Sequence, residues 1–177
     1  MFDRMKRLLA FPFYATIARL WPVRYARMIG VNLEGRVTIY GSSYEMFSTE
    51  PFLVTLHDNV YVSVGAKFIC HDGGVLPFRA EHPTLDLAAP ITVHKNCFIG
   101  MGAVILKGVT VGANSIVGAY SVVTKDVPEG HIVAGNPARI IKTTISYIND
   151  SLEQSLDIGH LKEADKDREY RRIFRKK

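Results

Sequence analysis

Cysteine is scarce: Cys70 and Cys97 are the only two in 177 residues. They form no CxxC pair and stand at no metal-like spacing from the histidines, so neither a zinc site nor a disulfide framework is indicated. A reducing cytoplasm is the simplest setting. Long apolar runs are also missing. The longest uncharged run of the N-terminal stretch Phe2 to Ile29, Leu8 to Ala18, has 11 residues, well short of the roughly 20 that a spanning helix requires, and no clear small-residue cleavage site follows it, which disfavours a signal peptide. No P-loop or dinucleotide glycine motif is present to hold phosphate.

Charge is present but unevenly spread. The net charge of +5 is carried by the ends: residues 1–29 hold six basic residues against one acidic, and residues 159–177 hold eight against four. The middle is left with eight basic against twelve acidic. A nucleic-acid binder carries its basic face on the folded core with aromatics interleaved, so this distribution argues against nucleic acid. An anionic membrane surface is the better nonspecific partner. From Phe2 to Ile29 the pattern is helical, with Arg4, Lys6, Arg7, Arg19, Arg24 and Arg27 punctuating apolar residues and with Pro12 and Pro22 dividing it. It reads as a cap on the domain that follows, or as an interfacial helix giving peripheral membrane association.

The strongest pattern is a period of six. Val93, Ile99, Ile105, Val111, Val117 and Val123 recur without a slip, followed directly by His94, Gly100, Leu106, Gly112, Gly118 and Thr124. Helices place apolar residues at 3.6 and half-buried strands at 2, so a strict six indicates a coiling strand whose corners recur every six residues, eighteen to a triangular turn. Four residues after each aliphatic stand Cys97, Ala103, Val109, Ser115, Ser121 and Val127, small or β-branched and suited to inward positions. Glycine after the aliphatic is expected to relieve the corner through positive φ. Leu56, Val62 and Phe68 extend the period backward, with Tyr44 to Pro51 as an irregular excursion.

These residues resemble the hexapeptide-repeat acyltransferases. The resemblance implies a mainly β fold, a left-handed parallel β-helix forming a triangular prism, here with an N-terminal helical segment and a C-terminal helical tail. The expected divisions are residues 1–32 for the basic helical cap, 33–142 for the β-helix and 143–177 for the tail. Phe68 and Val93 are 25 residues apart, one more than four repeats, and residues 70–89 carry Gly73, Gly74, Pro77 and Pro83 without any period. This stretch must leave the prism as a loop, and insertions in repeat proteins commonly bind ligand.

His71 opens that loop in Cys70-His71-Asp72-Gly73-Gly74, and the coil resumes at Pro90-Ile91-Thr92-Val93. Acyl transfer to a hydroxyl needs a base that titrates near neutrality, the property of histidine. The arrangement is similar to the sugar and xenobiotic O-acetyltransferases of the family, which include galactoside, maltose and streptogramin acetyltransferases, and it implies that His71 is the catalytic base. Asp72, Arg79 and His82 are the candidate substrate-loop residues. His82, which precedes Pro83, is the rival base.

By position in the matching motifs, the resemblance implies a donor site for acetyl-CoA. Met101 and Ala119 offer main-chain contacts to pantetheine, Phe98 takes the place of an aromatic residue, and Thr124 and Lys125 lie near the nucleotide. Lys125, Arg139 and Lys142 face phosphate. It also implies a sugar acceptor in cell-surface polysaccharide biosynthesis, no metal, and a homotrimer with active sites between subunits. N-acetylation of an amino sugar, acetylation of an antibiotic and a noncatalytic β-helix scaffold remain alternatives. A carbonic-anhydrase-like member would need three converging metal-ligating histidines, and the spacing of His57, His71, His82 and His94 does not suggest them.

Overall fold

The computed structural model describes residues 12–175. Arg4, Lys6 and Arg7 of the expected N-terminal helix lie outside them. The chain divides into two compact units, one ending at Thr144 and one running from Ile145.

The first unit opens with helical residues 12–20 and, after Trp21, the helix α1 (Pro22–Met28). Thirteen short strands follow. The first two are β1 (Asn32–Leu33) and β2 (Val37–Ile39). Next come β3 (Val54–Leu56), β4 (Val60–Val62) and β5 (Lys67–Ile69), then β6 (Ile91–Val93), β7 (Phe98–Ile99) and β8 (Val104–Leu106), and then β9 (Thr110–Val111), β10 (Ile116–Val117) and β11 (Val122–Val123). Successive strands fall in three sheets in rotation, in the orders β1-β3-β6-β9, β2-β4-β7-β10 and β5-β8-β11. The chain is therefore a three-sided parallel coil. Val93 pairs with Val111, Ile99 with Val117 and Ile105 with Val123, eighteen residues apart as the period requires. All six repeat aliphatics are buried, and so are Cys97, Ala103, Val109, Ser115, Ser121 and Val127. Buried hydroxyls need partners. Ser115 Oγ donates to the Pro128 carbonyl at 2.9 Å, and Ser121 Oγ accepts from Gly135 N at 3.2 Å.

The role expected of glycine needs correction. Positive φ falls three residues after the aliphatic, at Asn59, Asn96, Gly102, Gly108, Asn114 and Tyr120, and not at Gly100, Gly112 or Gly118. Those three are required by close stacking. A Cβ on Gly100 would lie 2.6 Å from the Ala119 nitrogen, and one on Gly112 would lie 2.5 Å from the Glu129 nitrogen. Asparagine tolerates the left-handed bend and also bonds along it. Asn59 Nδ2 donates to Asn96 Oδ1 at 3.0 Å, Asn96 Nδ2 to Asn114 Oδ1 at 3.0 Å, and Asn114 Nδ2 to Glu129 Oε1 at 3.1 Å, forming a ladder up one edge of the coil. On the same side the rings of His57 and His94 stack with centroids 5.0 Å apart, and His57 Nδ1 lies 2.9 Å from Glu34.

Two excursions break the register. Leu56 pairs with Val93 and Phe68 with Ile105, each 37 residues apart, so the second excursion adds nineteen residues to an eighteen-residue turn. The 25 residues from Phe68 to Val93 are thus one side of the coil plus an insertion, not four repeats and one residue. Earlier, Ile39 pairs with Val62 at a separation of 23 and Phe47 with Phe68 at 21, so the first excursion leaves three surplus residues between Phe68's partner and Leu56.

Parallel coiling stops at β12 (His131–Gly135), which pairs with β10 on one side and antiparallel with β13 (Ala138–Thr143) on the other. The strand β13 is absent from the periodicity because its residues do not alternate in burial. The second unit contains α3 (Glu163–Phe174) and most of α2 (Thr144–Glu153), with non-helical residues between. Asp167–Arg171 and Glu169–Arg172 ion pairs line α3, whose first turn carries Glu163 and Asp165 and whose last turn carries Arg171 and Arg172, as its dipole favours.

The close approach at Gly100 predicts that Gly100→Ala lowers the unfolding free energy by about 1–3 kcal/mol. Asn96→Gly, which keeps the bend and loses ladder bonds, should cost about 1 kcal/mol. Urea unfolding followed by circular dichroism distinguishes them; a neutral Gly100→Ala would mean that the coils are not in contact there.

Candidate active site

The second excursion leaves the coil directly after β5. Along this strand and beyond it Phe68 and Cys70 point inward and are buried, so Lys67, Ile69 and His71 point out. The loop is tied at its neck, where Asp72 N donates to the Leu87 carbonyl at 2.8 Å and Ala89 N to the Cys70 carbonyl at 2.9 Å. His71 and Ala88 form an isolated antiparallel bridge. The base candidate therefore stands on a backbone fixed from both sides.

Glu50 is the residue that the sequence reading missed. Its Oε2 lies 2.8 Å from His71 Nδ1. It stands 21 residues before His71, the same separation as the Phe47 and Phe68 pair, so the two occupy one rung of adjacent coils. The surplus residues of the first excursion supply Ser48, Thr49 and Glu50. The hydroxyl of Thr49 donates to Glu50 Oε1 and that of Ser48 to Oε2 at 3.3 Å. The Thr49 bond, followed by those from His71 and Ser48, outweighs desolvation and holds the Glu50 carboxyl below its ordinary range. A carboxylate at Nδ1 fixes that nitrogen as N–H and leaves Nε2 with its lone pair. The only signal in sequence was a polar Ser-Thr-Glu-Pro run where an aliphatic was due.

A cavity of about 290 Å³ opens beside the histidine, lined by Ile69, His71, Asp72, Gly73, Leu106, Lys107 and Thr124. Asp72 does not orient the imidazole. Its Oδ1 accepts from Gly74 N at 3.0 Å and its Oδ2 meets Lys107 Nζ at 3.2 Å; the backbone bond first and then Lys107 hold its carboxyl below the ordinary aspartate range. Lys107, on the neighbouring coil, is a second residue that sequence reasoning did not single out. Arg79 turns back into the loop, with Nε on the Leu85 carbonyl at 3.1 Å and an ion pair to Asp86 at 3.0 Å. His82 is exposed in the loop and its ring has no hydrogen-bond partner among the described residues.

A second cavity, of about 480 Å³, is lined by Val123, Lys125, Asp126, Val127, Val133, Ala138, Arg139 and Ile140. Consecutive residues Thr124 and Lys125 thus line one cavity each. Lys142 lines neither; it is half-buried on β13 opposite Ile132. Met101 and Ala119 stand at the bends between the second and third sheets, and Phe98 is outward on the second sheet, so these three lie along a different edge of the coil from His71. Neither Met101 nor Ala119 donates its amide to another backbone group among the described residues, while the Met101 carbonyl accepts from Tyr120 N at 2.7 Å. Burial raises both thiols, so Cys70 and Cys97 stay protonated and are not poised as nucleophiles. No group of three metal-ligating side chains occurs among the described residues.

The family described as Bacterial transferase hexapeptide (six repeats) matches residues 90–125. Over 129 residues the chain is 41% identical to Protein CapG of Staphylococcus aureus, covering 73% of this chain and 75% of that one. The chain belongs to the hexapeptide-repeat acyltransferases. Among solved members, the maltose O-acetyltransferase of Clostridium difficile aligns with TM-score 0.56 and 21% identity over 77% of this chain and 83% of its own. The polySia specific acetyltransferase NeuO aligns with TM-score 0.52 and 30% identity over 64% and 51%.

Two observables follow from the Glu50–His71 contact. Nitrogen NMR should find the neutral His71 of this acyltransferase protonated at Nδ1, and Glu50→Ala should shift it toward the Nε2–H form; an unchanged tautomer would dismiss the contact. Because the folded-state pKa of Glu50 is depressed, its stabilising contribution is present above the ordinary glutamate range and is lost as pH falls through the lower folded-state value. The stability gap between wild type and Glu50→Gln should therefore narrow on acidification below that range.

Proposed function

We infer that this acyltransferase transfers acetyl from acetyl-CoA to a sugar hydroxyl, in the cytoplasm and in the service of cell-surface polysaccharide biosynthesis, with His71 as general base. The observation that carries the reading is the Glu50–His71 pair at the mouth of a cavity. Nε2 of His71 accepts the proton as the acceptor oxygen attacks the thioester carbonyl, and then returns it to the departing sulfur. Glu50 holds the ring and stabilises the imidazolium between the two steps. A main-chain amide holds the developing oxyanion. No acyl-enzyme is needed, in keeping with two buried, protonated thiols. Similarity to NeuO supports a sugar acceptor.

The coil is taken as the left-handed form of the family. Lys125 and Arg139, which share the larger cavity, suit the phosphates of the donor. The unpaired amides of Met101 and Ala119 suit its pantetheine arm, but they lie across the third sheet from His71. Outward Ile69, Val104, Leu106 and Val122 make that face apolar, against Thr55, Thr92 and Thr110 on the first sheet. A homotrimer, in which the edge carrying Met101 and Ala119 of one subunit meets the His71 edge of another, completes the site.

His71→Ala should stay folded and lose about 10²–10⁴-fold in kcat, while His82→Ala loses far less; free-thiol release from acetyl-CoA measured over monosaccharides, nucleotide sugars and amino sugars gives the readout. A response confined to amines would replace hydroxyl by amine acetylation, and reversed losses would move the base to His82. Lys125→Ala and Arg139→Ala should raise KM for acetyl-CoA more than they change kcat, since phosphate contacts hold ground and transition states alike. Mixing an inactive donor-edge variant with His71→Ala should restore activity if the site is shared, and a fully active monomer in light scattering would overturn the assembly.

A further inference from the structure

The N-terminal helices carry a second apolar side that the core does not use. A capping helix normally directs its large apolar residues inward. Here residues 12–20 and α1 bury Ala18, Tyr25 and Ala26 and pack Val23 against the core, and leave outward Phe13 at 62%, Leu20 at 58%, Trp21 at 54% and Met28 at 49% exposure. The inward side is pinned by small contacts: Ser43 N donates to the Ala18 carbonyl at 3.1 Å and Ser43 Oγ to the Pro22 carbonyl at 2.9 Å. Tyr14, Tyr25 and Tyr44 form a chain of ring contacts with centroids 6.5 and 5.9 Å apart. The orientation is thus held by specific bonds.

Arg19, Arg24 and Arg27 are exposed among these residues. No carboxylate pairs with any of them among the described residues, whereas Arg36, Arg79, Arg168, Arg171 and Arg172 are all ion-paired. The sequence holds no acidic residue between Asp3 and Glu34.

We propose that the outward side of residues 12–20 and α1 docks on an anionic lipid bilayer, with Leu20 and Trp21 in the interface and Arg19, Arg24 and Arg27 on lipid headgroups. Tryptophan prefers the boundary between headgroup and acyl chain, and aliphatic side chains beside it add buried area. Each arginine adds attraction to an anionic surface, and three exposed ones with no carboxylate partner among the described residues give the charge complementarity that a neutral partner would not use. Among the described residues neither helical segment is long and apolar enough to span, and both lie in the plane of the interface. The proposal is independent of the reaction and of the acceptor.

Trp21 is the single tryptophan of the chain, so its emission reports the patch directly. On vesicles of phosphatidylglycerol and phosphatidylcholine the emission should move to shorter wavelength and the full chain should co-sediment. Pure phosphatidylcholine or high salt should abolish both effects. Arg19→Gln/Arg24→Gln/Arg27→Gln, which removes no ion pair, should weaken partitioning by about 100-fold while acetyl-CoA turnover without vesicles stays unchanged. Absence of both the shift and co-sedimentation on anionic vesicles overturns the proposal. It is equally overturned if the emission moves to longer wavelength on simple dilution as light scattering shows dissociation, because a second copy of the chain then covers the patch.

Discussion

Parallel strands in a sheet stand about 4.8 Å apart, and stacking a fold of eighteen-residue turns at that spacing leaves almost no room between coils at the bends. Every other feature of the first unit inherits this restriction. Where the chain rounds an edge, Gly100 and Gly112 admit the backbone of the coil above and Gly118 the β-carbon of Ala134, and a β-carbon at any of them would overlap its neighbour. Three residues after the aliphatics from Val93 to Val117 the backbone turns left-handed, and asparagines at Asn96, Asn114 and the earlier Asn59 join in a ladder that ties successive coils. Inside, small and β-branched side chains fill what the bends leave. The coil is regular because its neighbours on either side are copies of it.

The candidate site stands where that regularity is broken. The first excursion adds residues and sets Glu50 on the rung of His71; the second carries His71 off the strand and closes the loop neck with backbone bonds. Both insertions leave the coil on the same sheet, and the lattice of parallel strands converts a sequence separation of 21 into a contact of 2.8 Å. Asp72, adjacent to the histidine in sequence, points away to Lys107 instead. The scaffold supplies rigidity, and the irregular segments supply position.

Much of this was legible in the chain itself. The period of six, the inward small residues and the protruding loop all follow from one-dimensional spacing, because in a coil each residue's surroundings are set by residues a fixed distance along. His71 was legible for the same reason, as the first residue beyond the last regular side. The positions of the glycines are legible in the same way, but the need for them comes from the coil above, which no local pattern records.

What the sequence determined by itself was the repeat and hence the architecture, since a repeat carries its own neighbours within it. What only the tertiary structure decided lay wherever the register slips. The surplus residues before Leu56 gave no periodic signal, so Glu50 stayed hidden until Phe47 was seen against Phe68. The division of Thr124 and Lys125 between two cavities depends on how a loop and a terminal hairpin fold against the coil. The outward turn of Trp21 and Leu20 depends on which side of a helix finds small residues to pack with. These are facts of contact between segments of unlike pattern, and a linear spacing rule holds only between like ones.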